Sequence, residues 1–228
     1  MLTAAALEAL RISAIVATES VVASLPFAVL AAWLLVRGRF AGRTLLDAVV
    51  HLPLVLPPVV VGYLLLVVFG VRGPLGGWLY AHLGVRLAFT TGGAALATAV
   101  MSFPLMVRAM RLTLEAIPPG LEEAARTLGA GPADRFCSVT LPLMAPGILA
   151  GAVTAFAAGL GEFGAVITFA SNIPGETRTL PLALYTAIQS PDGDAAAMRF
   201  AALSLALGIG GLVAAEALSR RLRARLGP

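Results

Sequence analysis

The sequence predicts an all-α polytopic bundle of about five membrane-spanning helices, and three observations carry that reading. Of 228 residues, 59% are hydrophobic and only 12% charged, with a mean hydropathy of +0.92; a water-soluble domain is charged at about 25% of its positions. Five stretches reach the about 20 mostly apolar residues that a helix needs to cross a bilayer: Ile12–Val36, Val49–Gly70, Gly93–Thr113, Gly147–Ala170 and Phe200–Leu218. The cations are unevenly shared between the segments that join them. The same composition excludes a disordered chain, a collagen-like fibre and a nucleic-acid-binding protein.

Each stretch has its own signals. The first is too long for a signal-peptide core, follows Glu8 and ends in Arg37 and Arg39, so it reads as a retained helix. The second contains Pro53, Pro57 and Pro58. Three missing N–H donors predict a kinked span whose freed carbonyls need neighbouring helices or water. Such kinks commonly line transport paths, though a packed kink serves none; Pro57 and Pro58 are candidate path residues. The fourth stretch carries Glu162 about two-thirds of the way along, and acids inside a membrane are costly and functional by default. Small residues recur at Gly147 and Gly151 and at Gly208, Gly210 and Gly211, suited either to dimerisation or to packing inside one bundle. A further segment, Thr179–Gln189, is too short to span and predicts an interfacial or re-entrant helix.

Arginine placement predicts the topology. All sixteen cations are Arg and none is Lys. Eleven (Arg37, Arg39, Arg43, Arg108, Arg111, Arg126, Arg135, Arg220, Arg221, Arg223 and Arg225) fall on one side of a five-span chain, against Arg11, Arg72, Arg86, Arg178 and Arg199 on the other. By the positive-inside rule the N-terminus is outside and the C-terminus cytoplasmic. The missing Lys excludes a phosphate-loop ATPase and a lysine Schiff base. Cys137 cannot form an internal disulfide and reads as a packing residue. His51, His82 and Cys137 are too scattered for a structural zinc site. No nucleophile–base pair is visible, so a membrane enzyme finds no support.

The loop between spans three and four, Leu114–Pro146, holds the most local information. Pro118-Pro119 followed by Glu122 and Glu123, with Gly129 beyond Leu128, predicts a short helix between Pro119 and Leu128. A second short helix fits from Pro132 to about Thr140, stopped by Leu141-Pro142 and Pro146. Two capped helices in one loop read as a docking element, since loops of this length are usually functional or disordered.

That loop resembles a known family. Glu123-Ala124-Ala125, then Gly129, then Val139-x-Leu141-Pro142 is similar to the EAA loop of ABC importer permeases, with Val139 where the family has Ile. The resemblance implies that Glu122, Glu123, Ala124, Ala125, Gly129, Leu141 and Pro142 form a coupling element seated on a separate cytoplasmic ATPase. Physically, small Ala124 and Ala125 seat deeply in a groove, Glu123 can pair with a partner Arg, and Gly129 permits a sharp exit.

His51 through Tyr63, and Gly161-Glu162-Phe163-Gly164 running on to Asn172 and Pro181, resemble the molybdate permeases of that superfamily; sulfate and tungstate permeases share related stretches. The resemblance covers nearly the whole chain. It implies one transmembrane permease domain over residues 1–228, multi-pass in a bacterial inner membrane and paired as a homodimer with two ATPase copies. It also implies a soluble oxyanion-binding protein outside, with ATP and Mg on the partner and no cofactor on this chain.

Within that frame Glu162, Phe163 and Gly164 join Pro57 and Pro58 as path or gate candidates. Glu162 reads as structural or gating rather than substrate-binding, because a dianion would repel it strongly at low dielectric; Arg178 or a helix start of the partner copy is its expected counterpart. Asn172, Thr177 and Arg178 lie in the outer segment, facing a delivering receptor or the arriving oxyanion, or else simply solvent. Glu19 has no assigned role. Arg220–Arg225 read as a lipid anchor. The rival from another class is a proton-coupled secondary transporter using Glu19 and Glu162, which leaves the EAA-like loop unexplained.

Overall fold

The structure, a computed structural model, describes residues 3–226; side chains from Ala214 onward, Ala217 excepted, fall outside that description, and with them the expected lipid anchor at Arg220–Arg225. Helix α1 (Ala4–Arg37) starts at Thr3, whose hydroxyl accepts the Ala6 N–H at 3.3 Å. Its 34 residues reach about 51 Å, longer than the about 30 Å hydrocarbon layer. Helix α5 (Thr91–Ala116) is capped in the same way by Thr90, which accepts the Gly93 N–H at 3.1 Å. With α8 (Leu141–Leu160) these two form the packed centre of the bundle. Small residues set their spacing. A Cβ on Gly151 would stand 2.9 Å from the Met106 carbonyl oxygen, and one on Gly147 would stand 2.6 Å from the Thr113 Cβ. This stripe therefore packs inside one bundle, whereas a Cβ on Gly208, Gly210 or Gly211 would meet no other element within 4 Å among the described residues.

The expected kinked second span is two helices, α2 (Arg43–Val55) and α3 (Pro58–Phe69), bent by 117°. Pro58 bars its predecessor from the helical region; Pro57 has ψ 135° and Leu56 ψ 143°, both extended. Pro53, standing alone, stays inside α2. An unexpected helix, α4 (Pro74–Leu83), follows. Its signals were in the sequence: Pro74 in the first turn, and Gly84 just past the end with φ +66°.

The loop's second helix does not stop at Leu141-Pro142. Helix α7 (Pro132–Arg135), a π-helical turn (Phe136–Thr140) and α8 run on without a break. The Leu141 N–H bonds the Phe136 carbonyl five residues back, and this wider turn relieves the clash that a proline ring makes with the carbonyl four residues before it. Cys137, expected to pack, is exposed on that turn. The fourth span also ends early: Gly161–Phe163 interrupt it, and a short helix α9 (Gly164–Phe169) follows. The short helix expected over Thr179–Gln189 is α10 (Leu180–Ile188), packed between α1 and the last helix, α11 (Asp194–Leu226). Among the described residues four helices are long and apolar enough to cross a membrane, or five with α2 and α3 taken together.

Candidate functional site

Helix α6 (Pro119–Thr127) occupies the predicted docking segment and ends where Gly129 takes φ +90°, a conformation that a Cβ would strain. It is tied to the bundle through its inner side. Arg37, the last residue of α1, donates from Nε to Glu122 Oε1 at 3.3 Å and from Nη2 to the Ile117 carbonyl at 3.2 Å. The Thr140 hydroxyl donates to the same Glu122 oxygen at 2.9 Å. Glu122 thus links the end of α1 to the π turn below α8. The Arg37 and Glu122 side chains are only 20% and 24% exposed, so solvent and salt screen this pair less than an open one.

The other side of α6 has a different character. Leu121, Ala124 and Leu128, at i, i+3 and i+7, lie on one face, and all are exposed, Leu128 at 88%. Ala125 is half-buried beside them, and Glu123 is exposed on the opposite side. Leu141 is half-buried and Pro142 exposed where the π turn enters α8. The arrangement is a small apolar ridge on a helix whose back is held by an ionic tether. Thr140 and the internal use of Glu122 were not visible in the sequence, and Arg37 read there only as an orientation charge.

The two broken spans meet each other. A Cβ on Gly62 of α3 would stand 2.6 Å from the Ala165 carbonyl and 2.8 Å from the Thr168 Cβ, both on α9. One on Gly164 would stand 2.7 Å from the Pro58 Cβ. Pro57, Pro58, Glu162, Phe163 and Gly164 are therefore brought to one place. Glu162 is half-buried, and its Oε1 accepts the Ala165 N–H at 2.9 Å, occupying the positive start of α9. Its counterpart is this chain's own helix start, not Arg178. The Phe163 ring packs 5.1 Å from Tyr185 of α10.

The outer segment is a hydrogen-bonded turn. Arg178 donates from Nε to Asn172 Oδ1 at 2.8 Å, and Asn172 donates to the Thr186 hydroxyl at 2.7 Å. Thr177 is 0% exposed; its hydroxyl accepts the Ile173 N–H at 2.9 Å and donates to the Ser171 carbonyl at 3.3 Å. Of the three residues expected at the outer face, Thr177 is thus buried and holds the turn, while Asn172 and Arg178 keep partial exposure. Ser13 of α1, unnoticed in the sequence, accepts the Leu180 N–H at 2.7 Å and fastens α10 to α1. Glu19 points from an exposed face of α1.

Residues 24–224 match the family of binding-protein-dependent transport system inner membrane components. The chain belongs to that family. It is a multi-pass inner-membrane transport subunit with the ABC importer permease fold. Among its relatives, the molybdenum transport system permease protein ModB of Escherichia coli K12 is 57% identical over 220 residues, covering 96% of each chain. The protein of the same description from Haemophilus influenzae Rd is 50% identical over 97% of this chain and 96% of its own. The sulfate transport system permease protein CysT of Escherichia coli K12 is 44% identical, over 75% of this chain and 61% of its own. Two solved structures share the fold at 18% identity: a bacterial alginate ABC transporter bound to an alginate-loaded periplasmic protein, and an amino acid ABC transporter with histidines. Their TM-scores are 0.75 and 0.63, with 96% and 94% of this chain and 80% and 92% of those chains covered.

Proposed function

We propose that this chain is the membrane-spanning permease of an ATP-driven importer that takes up molybdate, working as a homodimer. Two copies of a separate cytoplasmic ATPase would carry ATP and Mg, and a soluble oxyanion-binding protein would deliver substrate outside. The observation that carries the substrate is the end-to-end 57% identity to a molybdenum permease, against 44% to a sulfate permease matched over only 61% of its length. Tungstate and sulfate are the alternative substrates.

In this reading the Leu121–Ala124–Leu128 ridge seats in a groove of the ATPase, with Gly129 at its margin, Glu123 on the other side of the helix pairing with an Arg of the partner, and Leu141 and Pro142 bracing the exit. The Arg37–Glu122–Thr140 tether passes its movement to α1 and α8. The path forms where two copies meet, because five spans are few to enclose one. The α3–α9 contact, with Pro57, Pro58, Phe163 and Gly164, is the element that rocks. Glu162 holds the start of α9 and does not touch a dianion, which it would repel. Asn172 and Arg178 face the delivering protein. The arginine bias supports a cytoplasmic α6. A proton-coupled transporter using Glu19 and Glu162 leaves the α6 ridge without a role.

The test is molybdenum content in a starved strain lacking its own permease and carrying this chain with its transport partners. Uptake that tungstate blocks and sulfate does not is the expected result; block by sulfate and not tungstate overturns the substrate. Pull-down of the ATPase, lost on Gly129 or Glu123 substitution, tests the coupling element separately.

A further inference from the structure

A pocket of about 420 Å³ opens between the end of α1, the connection into α2 and the inner side of α6. Its walls carry Arg37, Arg39, Arg43, Arg126 and Arg135 against Glu122 and Glu123, five positive charges to two negative, a net +3. Arg37 is committed to Glu122, which leaves four arginines facing one exposed acid. The Arg135 Nε is closed off from solvent without a hydrogen-bond partner among the described residues. An enclosed donor of that kind is costly until an acceptor arrives.

Two further features say what the acceptor is. Phe40 and Leu45 are exposed, at 42% and 68%, beside Arg39 and Arg43. Apolar side chains next to cations suit the boundary of a bilayer, where the first enter the acyl region and the second meet headgroups. The pocket is also built from the last turn of α1 and the first residue of α2, the level at which spanning helices leave the hydrocarbon. Helix α6 turns Pro119, Glu122, Glu123 and Arg126 toward the pocket and its apolar ridge away, so a partner seated on the ridge leaves the pocket open.

We infer that this pocket binds the phosphate headgroup of an anionic phospholipid. Guanidinium groups grip phosphate oxygens in pairs, and basic pockets at helix ends attract such headgroups. The bound lipid then bridges the α1–α2 connection to α6. The inference rests only on the chain's crossing a membrane, not on what it transports.

The test is native mass spectrometry of the full-length protein taken from vesicles of mixed phosphatidylglycerol and phosphatidylcholine. The protein is expected to retain phosphatidylglycerol preferentially and to keep it in excess inorganic phosphate. Arg43→Gln with Arg126→Gln should weaken retention about fivefold per arginine removed, while the Lys pair at the same positions keeps most of it. Equal retention of both lipids, or unchanged retention in the Gln pair, overturns the proposal. Displacement by inorganic phosphate would make it a site for free anions. Loss of ATPase pull-down in the Gln pair with lipid retention intact would assign the pocket to a partner's carboxylate. If the Gln pair fails to fold, the wild-type melting temperature decides: phosphatidylglycerol must raise it more than phosphatidylcholine does.

Discussion

Helices α1 and α5 and the broken pairs α2/α3 and α8/α9 are made of similarly apolar sequence, yet the first two run unbroken and the others do not. Proline alone does not explain the difference. Pro26 lies inside α1 and Pro104 inside α5, both intact, while the break after α8 contains no proline at all. A single proline forfeits one backbone hydrogen bond, which a packed helix survives. Tandem Pro57-Pro58 is different, because the second proline expels the first from the helical region. At the other break Gly161 ends α8 and the Glu162 carboxylate starts α9 by accepting the Ala165 N–H. The unbroken helices form the scaffold with α8, and the two breaks face each other across Gly62 and Gly164. The lesson is that a break persists where another element is shaped to receive it.

The comparison can be broken most severely at the contact itself. Gly62→Leu places side-chain atoms where the Ala165 backbone stands 2.6 Å away. Such overpacking costs about 1–3 kcal/mol; uptake should be nearly abolished in protein that still reaches the membrane, and normal uptake would refute the role of the contact. Next is Pro57→Ala with Pro58→Ala, which removes the cause of the bend. Spin labels on α2 and α3 should move apart and uptake should fall; an unchanged distance would show that packing, not proline, sets the 117° angle.

A smaller effect is expected at the proline-free break. Glu162→Ala removes the acceptor at the start of α9 and should lower stability by about 0.5–2 kcal/mol, with Glu162→Gln retaining most of it. Thermal unfolding in detergent measures both, and equal losses would point to the charge rather than the hydrogen bond. The smallest change belongs to the scaffold. Pro26 is exposed on an intact helix, so Pro26→Ala should keep uptake and stay within about 0.5 kcal/mol of the parent.

Much of the α6 segment was legible because its signals are local. Pro119, Glu122 and Gly129 mark a helix start, its first turn and its exit within eleven residues, and α6 forms at those bounds. Helix α4 has the same bounding signals at Pro74 and Gly84 but lacks the first-turn acid that marks α6, which leaves its pattern weaker. Pro142 misled for another reason: proline as a helix stop assumes a regular α turn, and the π turn before it removes that assumption. Thr177 belongs by position to the outer segment with Asn172 and Arg178, but its hydroxyl closes the turn from inside, a contact that position alone does not reveal.

By itself the sequence determined that this chain is an all-α membrane bundle, roughly where its helices lie, and where a short capped helix interrupts the loop between the third and fourth spans. Hydropathy and capping are properties of neighbouring residues and need no knowledge of the rest of the chain. Only the tertiary structure decided that two spans break, that α3 and α9 close on each other, and that Glu122 is held by Arg37 and Thr140. It also decided that five arginines gather around one pocket. These depend on which remote segments meet, and that is set by packing between helices whose apolar surfaces look alike one residue at a time.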